Sequence, residues 1–168
     1  PGLKLYDVSV YHSNQVIADL ENVNIRPDIL SLFLATTHIS FKGNCPGGNF
    51  SGDVDIIKEA ENREINIDAD FAGIQANQLE ALGAFTTHRI SGNLDGTVTF
   101  TAKMPHQELV GDLTLIDGKI ELSPPLLAQK ELTFDSIDAQ LMFNGRSLTI
   151  ERCELQGDQL DGEVAGSI

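Results

Sequence analysis

Ile90, Gly92, Leu94, Gly96, Val98, Phe100 and Ala102 hold one phase of a two-residue period, with Ser, Asn, Asp or Thr at every position between them. A helix would scatter these residues around its axis, whereas a β-strand sets them all on one face. The phase runs straight through Asp95-Gly96, a dipeptide that otherwise signals a hairpin, so Arg89 to Ala102 reads as one long strand. Strands of this kind demand a sheet with one apolar and one polar face. Most of the remaining sequence repeats the same grammar.

From Glu108 to Ile168 the alternation and the turn signals describe an antiparallel meander. Asp117-Gly118 is expected to turn a hairpin that sets Leu115 against Ile120 and Leu113 against Leu122. Asn144-Gly145 would pair Leu141 with Leu148 and Ala139 with Ile150, and Gly157-Asp158 would set Leu155 against Leu160. The alternation slips between Phe134 and Ile137 and again between Ile150 and Cys153, which points to β-bulges. Pro105 ends the preceding strand, and Pro124-Pro125 separates the first hairpin from the rest.

Toward the N-terminus, Leu3 to Val10 and Val16 to Leu20 form an expected hairpin, with Val10 opposite Val16 and Val8 opposite Ala18; Val23 and Ile25 continue it. From Arg26 to Leu34 the period changes, and Pro27 with Ile29, Leu30, Phe33 and Leu34 on one face predicts a short helix covering the sheet. Strands resume at His38 to Gly43 and Asn49 to Ile56 around a break at Asn44 to Gly48, followed by a charged loop from Lys58 to Arg63. The next strand, Glu64 to Phe71, turns Ile65, Ile67, Ala69 and Phe71 inward. A second short helix is expected from Asn77 to Phe85, with Asn77 and Glu80 as a capping pair. The fold class is therefore all-β: a curved, mostly antiparallel sheet of roughly ten strands with one or two short helices, in a single domain.

Composition narrows the function classes. Eleven basic against 25 acidic residues give a net charge of -14, which repels nucleic acid and anionic lipid headgroups at long range. Cys45 and Cys153 lack any zinc-ligand spacing, and their pairing is open. The four histidines, His12, His38, His88 and His106, look isolated, and Cys45-Pro-Gly-Gly48 lacks the lysine of a phosphate loop. Facing acids are the one catalytic motif worth weighing. The strands around residues 50–56 and 64–71 allow two registers, one opposing Asp53 to Asp68, the other Asp53 to Asp70 and Asp55 to Asp68. Either crowding raises a carboxyl pKa or recruits a cation such as calcium. The simpler reading is a solvated outer face, and glycosidase chemistry lacks a tryptophan platform because the chain has none. No catalytic residue, cofactor or metal site is assigned.

Glycine recurs inside the strands as apolar-x-Gly-x-apolar, at Phe50 to Val54, Ile90 to Leu94, Leu109 to Leu113 and Leu160 to Val164. Glycine there costs about 0.5 to 1 kcal/mol relative to alanine, so something on the apolar face needs room. The two accounts are sheet curvature under a covering helix, or a groove for a lipid chain or partner segment lined by Gly92, Leu94, Gly96, Gly111, Leu113, Gly162, Val164 and Gly166.

This grammar, with Leu3 to Val10, Pro27 to Leu34, Leu109 to Ile120 and the closing Leu141 to Ile168, resembles the AsmA-like envelope proteins and, within them, the type II secretion system protein N family. The resemblance implies a non-enzymatic periplasmic β domain, a fragment of a longer protein anchored to the inner membrane. It implies a structural or interaction role in the general (type II) secretion pathway, with other envelope proteins as partners, or alternatively lipid binding or transfer along a β-groove. It brings no active-site residues.

Overall fold

The computed structural model describes residues 2–12, 15–59, 62–79, 88–126, 129–158 and 161–167. They form one open antiparallel sheet of ten strands in sequence order: β1 (Leu3–His12), β2 (Gln15–Pro27), β3 (Thr36–Cys45), β4 (Gly48–Glu59), β5 (Asn62–Gln75), β6 (Arg89–Lys103), β7 (His106–Leu126), β8 (Gln129–Phe143), β9 (Leu148–Gln156) and β10 (Gly162–Ser167). The all-β meander expected from the alternation is the fold. Helical structure among the described residues is confined to two 3-10 turns, Ser31–Phe33 and Ala76–Gln78.

Strand pairing lines the alternating residues into rungs that cross the whole sheet. One runs Leu5, Val23, Gly43, Phe50, Phe71, Gly96, Leu113, Ala139, Cys153, Val164, every member apolar or glycine. Its neighbour runs Leu3, Ile25, Phe41, Gly52, Ala69, Val98, Gly111, Leu141, Ile150, Gly166. Between them, on the opposite face, lie Lys4, Asn24, Lys42, Ser51, Asp70, Thr97, Asp112, Gln140 and Arg152. A one-residue slip anywhere would put aspartate among phenylalanines, which is what pins each register.

Among the described residues the sheet is a single layer. Among the described residues only Val23, Cys45, Ala76, Leu115 and Phe134 form a buried hydrophobic core. The accessible surface is 11228 Å², against the about 8,100 Å² that a compact protein of its 18.2 kDa mass presents. Most residues of the apolar face are half-buried.

Three glycines of that face make room for an aromatic ring on the next strand. A β-carbon on Gly43 would lie 2.5 Å from Cζ of Phe50, on Gly52 2.6 Å from Cζ of Phe41, and on Gly96 2.9 Å from Cζ of Phe71. The rings of Phe41 and Phe50 themselves sit 6.2 Å apart between centroids. Each phenylalanine lies over its paired glycine and covers backbone that would otherwise be bare, an aromatic rescue of the weak residue.

The long β6 strand is as the parity requires, and Asp95-Gly96 turns nothing. Asp117-Gly118 turns nothing either, contrary to the hairpin expected there. β7 runs through it unbroken for 21 residues, with Leu115 between Leu94 and Ile137, and Ile120 between Ile90 and Leu132. Fifteen-residue strands on both sides need a partner of full length. The left-handed preference of Asp117, φ 52°, is spent instead on a bulge where Asp117 and Gly118 together oppose Gly92, itself at φ 134°. Leu122 therefore lies beyond Ile120 on the same strand, and Pro124-Pro125 falls near the end of β7, where pairing with β8 skips from Glu121 to Leu126.

Two other turns are in place with registers displaced by two, which preserves the faces. Leu141 pairs with Ile150 and Phe143 with Leu148, because Asn144–Ser147 forms a four-residue loop in which Asn144 Oδ1 accepts the Ser147 N–H at 3.1 Å. Val10 pairs with Ala18 and Val8 with Leu20, the shift at Tyr11 absorbing the difference. Leu155 faces Gly162, and Leu160 lies outside the described residues. The bulge between Ile150 and Cys153 is present, at Glu151. At Phe134 to Ile137 the β7–β8 register is continuous, Gly118 facing Phe134 and Leu115 facing Ile137, so no residue is inserted there.

The first expected helix does not form. Pro27 closes β2 opposite Ile39, leaving only residues 28–35 as a loop around one 3-10 turn, and Ile29, Leu30, Phe33 and Leu34 face solvent instead of covering the sheet. Of Asn77 to Phe85, only the start is described, within the Ala76–Gln78 turn; residues 80–87 lie outside the described residues.

The ring-over-glycine packing generates a prediction. Gly96→Leu and Gly52→Leu should each cost about 1 to 3 kcal/mol, since the added side chain displaces Phe71 or Phe41. Gly162→Ala, with nothing within 4 Å of its β-carbon, should stay within about 0.5 kcal/mol of wild type. Urea unfolding of the three variants measures both.

Candidate functional site

The acids of the β4–β5 hairpin take the first of the two registers: Asp53 faces Asp68, while Asp55 faces Asn66 and Asp70 faces Ser51. Three of these carboxylates have a partner on β3 or β6, and Asp53 and Asp55 share one. Thr99 Oγ1 donates to Asp68 at 2.8 Å, and His38 Nε2 lies 3.3 Å from Asp53. The other ring nitrogen, Nδ1, lies 2.7 Å from Asp55.

His38 is thus bracketed by two carboxylates and is not isolated. Only the doubly protonated imidazolium can donate to both. The hydrogen bond with Asp55 holds its pKa above the ordinary 6.5, partial burial opposes that, and the charges of Asp55, Asp53 and Asp28 reinforce it. Counting outward from a two-residue Pro46-Gly47 turn, with Gly47 at φ 83°, would have set His38 opposite Asp55. The broader break at Asn44 to Gly48 hid that register.

A shallow depression of about 400 Å³ on the polar side of β6–β9 gathers Asp95, Asp112, Asp138 and Glu154 with Arg152. All four acids are engaged: Asp95 by the Gly73 N–H, Asp112 by Gln140 Nε2 at 2.9 Å, Asp138 by Thr114 Oγ1 at 2.6 Å and Glu154 by Arg152. Three of these contacts join neighbouring strands, whereas Arg152 and Glu154 pair along β9; the cross-strand side-chain pairs Thr114–Asp138 and Gln140–Asp112 each contribute a few tenths of a kcal/mol to about 1. Among the described residues no group of three or more His, Cys, Asp or Glu side chains could hold a metal ion.

Cys45 ends β3 and Cys153 lies in β9, six strands and roughly 29 Å away, so they form no disulfide within the chain. Burial pushes both thiols up, away from the reactive thiolate.

The eight residues expected to line a groove all lie on the apolar face. Leu94, Gly96, Gly111 and Leu113 are contiguous across β6 and β7. Gly162, Val164 and Gly166 reach that group only through Ala139, Leu141, Ile150 and Cys153 of β8 and β9. Their glycines differ in kind: Gly92 serves the bulge, Gly96 lies under Phe71, Gly111 is buried with 3.7 Å of clearance, and Gly162 and Gly166 are open. At the far end of the face, Leu20, Cys45, Phe50, Phe71, Ile74 and Leu79 line an apolar recess of about 240 Å³ under the second 3-10 turn.

No family model, no curated protein and no solved structure matches the chain.

The His38 arrangement has a defined pH signature. A histidine whose folded pKa is raised stabilises the fold fully below its unfolded value, and that stability is lost as pH rises through the folded pKa. With the side chain 42% exposed, screening holds the effect to roughly 0.5 kcal/mol or less. NMR titration should place His38 above 6.5 and return it toward that value in Asp55→Asn, while the difference in stability between wild type and variant shrinks as pH rises through the folded pKa. An unchanged His38 titration in Asp55→Asn would contradict the assignment.

Proposed function

We propose that this domain is a non-enzymatic binding module of the bacterial envelope whose apolar face takes up lipid acyl chains. The observation that supports the reading is the single-layer sheet itself: apolar rungs cross all ten strands and no second layer covers them among the described residues. Monomeric soluble proteins rarely leave contiguous apolar patches beyond a few hundred Å², and this face extends over nine strand spacings, roughly 43 Å. Acyl chains suit it because they need no hydrogen bonds from a surface that offers none. On the other face Asp68, Asp138 and Asp112 accept hydrogen bonds from Thr99, Thr114 and Gln140, which supports a binding role over catalysis. A periplasmic location and an inner-membrane anchor outside this stretch belong to the same proposal, through the resemblance to AsmA-like proteins.

A second reading, a scaffold within the type II secretion machinery, is favoured by β10. Gly162 to Ser167 is exposed at every residue and, among the described residues, pairs only with β9, leaving an outer edge on which a partner's strand could add.

Purified protein should carry phospholipid on native mass spectrometry and bind a fluorescent acyl probe. Val98→Lys and Leu141→Lys, which place charge on the central apolar rung, should reduce probe binding about tenfold or more while the strand signal in circular dichroism is kept. Lipid-free protein that ignores the probe but captures secretion-system subunits through β10 would overturn lipid binding in favour of the scaffold.

A further inference from the structure

We propose that the β2–β3 loop is a membrane-inserting tip that docks this end of the sheet onto an anionic lipid bilayer. Five large hydrophobic side chains crowd the loop and are turned outward: Ile29 is 46% exposed, Leu30 76%, Leu32 47%, Phe33 85% and Leu34 65%. Around a 3-10 turn successive residues diverge by about 120°, so Leu32, Phe33 and Leu34 point three ways. A protein partner would need a socket shaped to this convex knob, whereas fluid hydrocarbon conforms to it.

Several polar atoms of the loop are bonded within it or to the adjacent strands. Ser31 is buried; its Oγ accepts the His38 N–H at 2.9 Å and donates to the Asp28 carbonyl at 2.7 Å. Asp28 N–H donates to the His38 carbonyl at 2.9 Å, Leu30 N–H to Asp28 Oδ1 at 3.0 Å, Phe33 N–H to the Leu30 carbonyl at 3.2 Å and Leu34 N–H to the Ser31 carbonyl at 3.0 Å. The Ala35 carbonyl accepts from Lys58 N–H at 2.8 Å, tying the loop to β4. Backbone groups satisfied in this way are what a segment needs in order to leave water for hydrocarbon.

The surroundings fit anionic headgroups. Pairing sets Thr36, Ile57, Glu64 and Lys103 in one row, so the β6–β7 turn, with Met104 77% exposed, shares this end of the sheet, roughly 14 Å away. Arg26, Lys58 and Arg63 are exposed beside the loop, although the chain as a whole carries a net charge of -14. Of the nearby acids, Glu64 is paired with Lys103 at 3.1 Å, Asp53 and Asp55 flank His38 at 3.3 and 2.7 Å, and the exposed Asp28 accepts from the Leu30 N–H. Aliphatic and aromatic side chains projecting through a basic rim match the requirements of interfacial binding.

The chain has no tryptophan, so Phe33→Trp installs a single indole at the tip. With vesicles of phosphatidylglycerol and phosphatidylethanolamine, its emission should shift to the blue and be quenched by brominated acyl chains. Tyr11→Trp, an exposed site at the opposite end of β1, should show neither change. Leu30→Ser combined with Phe33→Ser should lower vesicle co-sedimentation roughly tenfold or more. The proposal stands apart from acyl binding along the sheet, because Val98→Lys should leave tip insertion intact. An indole at position 33 that stays in water, vesicle binding untouched by the double serine variant, or saturable binding of a protein by the loop without vesicle binding would each overturn it.

Discussion

Every feature of this molecule depends on the antiparallel register being the same, in parity, across ten strands. Backbone ladders alone tolerate slippage, and the ladder does not distinguish one face from the other. What distinguishes them is the cost of carrying Asp70 or Asp112 onto the half-buried side of Phe71 and Leu113, where each charge would lose part of its hydration. The rungs are consistent because each strand has only one parity that avoids that cost.

A fold with one layer obtains little stability from burial, so other interactions carry a larger share. On the polar side, hydroxyls, amides and His38 each hold a neighbouring carboxylate, which lets a strongly acidic sheet stack its charges without crowding them unpaired. On the apolar side, Phe41, Phe50 and Phe71 fold down onto glycines of adjacent strands and recover contact area that a missing second layer would have supplied. Both devices act between neighbouring strands, which suits a sheet that extends by repetition.

The same thinness makes the apolar face and the β2–β3 loop available. Side chains of Leu, Phe and Ile that a two-layer protein would hide are here held at a surface by hydrogen bonds made beneath them. The proposed acyl surface and the proposed membrane tip are separate uses of this one circumstance, on the face and at the end of the sheet.

Which residues share a face was legible in the sequence, because the two-residue period of Arg89 to Ala102 and its counterparts leaves a single partition whatever the neighbours do. The all-β meander follows from that period, as does the bulge near Glu151, where the period breaks. Asp117-Gly118 was misread because a dipeptide that favours φ > 0 suits a hairpin and a bulge equally well, and only the length of β6 and β8 on either side decides between them. The loop from Asp28 to Ala35 was misread for a related reason: its helical spacing is local, but pairing of β2 with β3 as far as Pro27 leaves no room for a helix. His38 between Asp53 and Asp55, and the rings lying over Gly43, Gly52 and Gly96, exist only once the registers are set. Alternation by itself determined the two faces of this protein; tertiary pairing decided which residues meet across the strands, because side-chain contacts in a sheet are made between residues far apart in the chain.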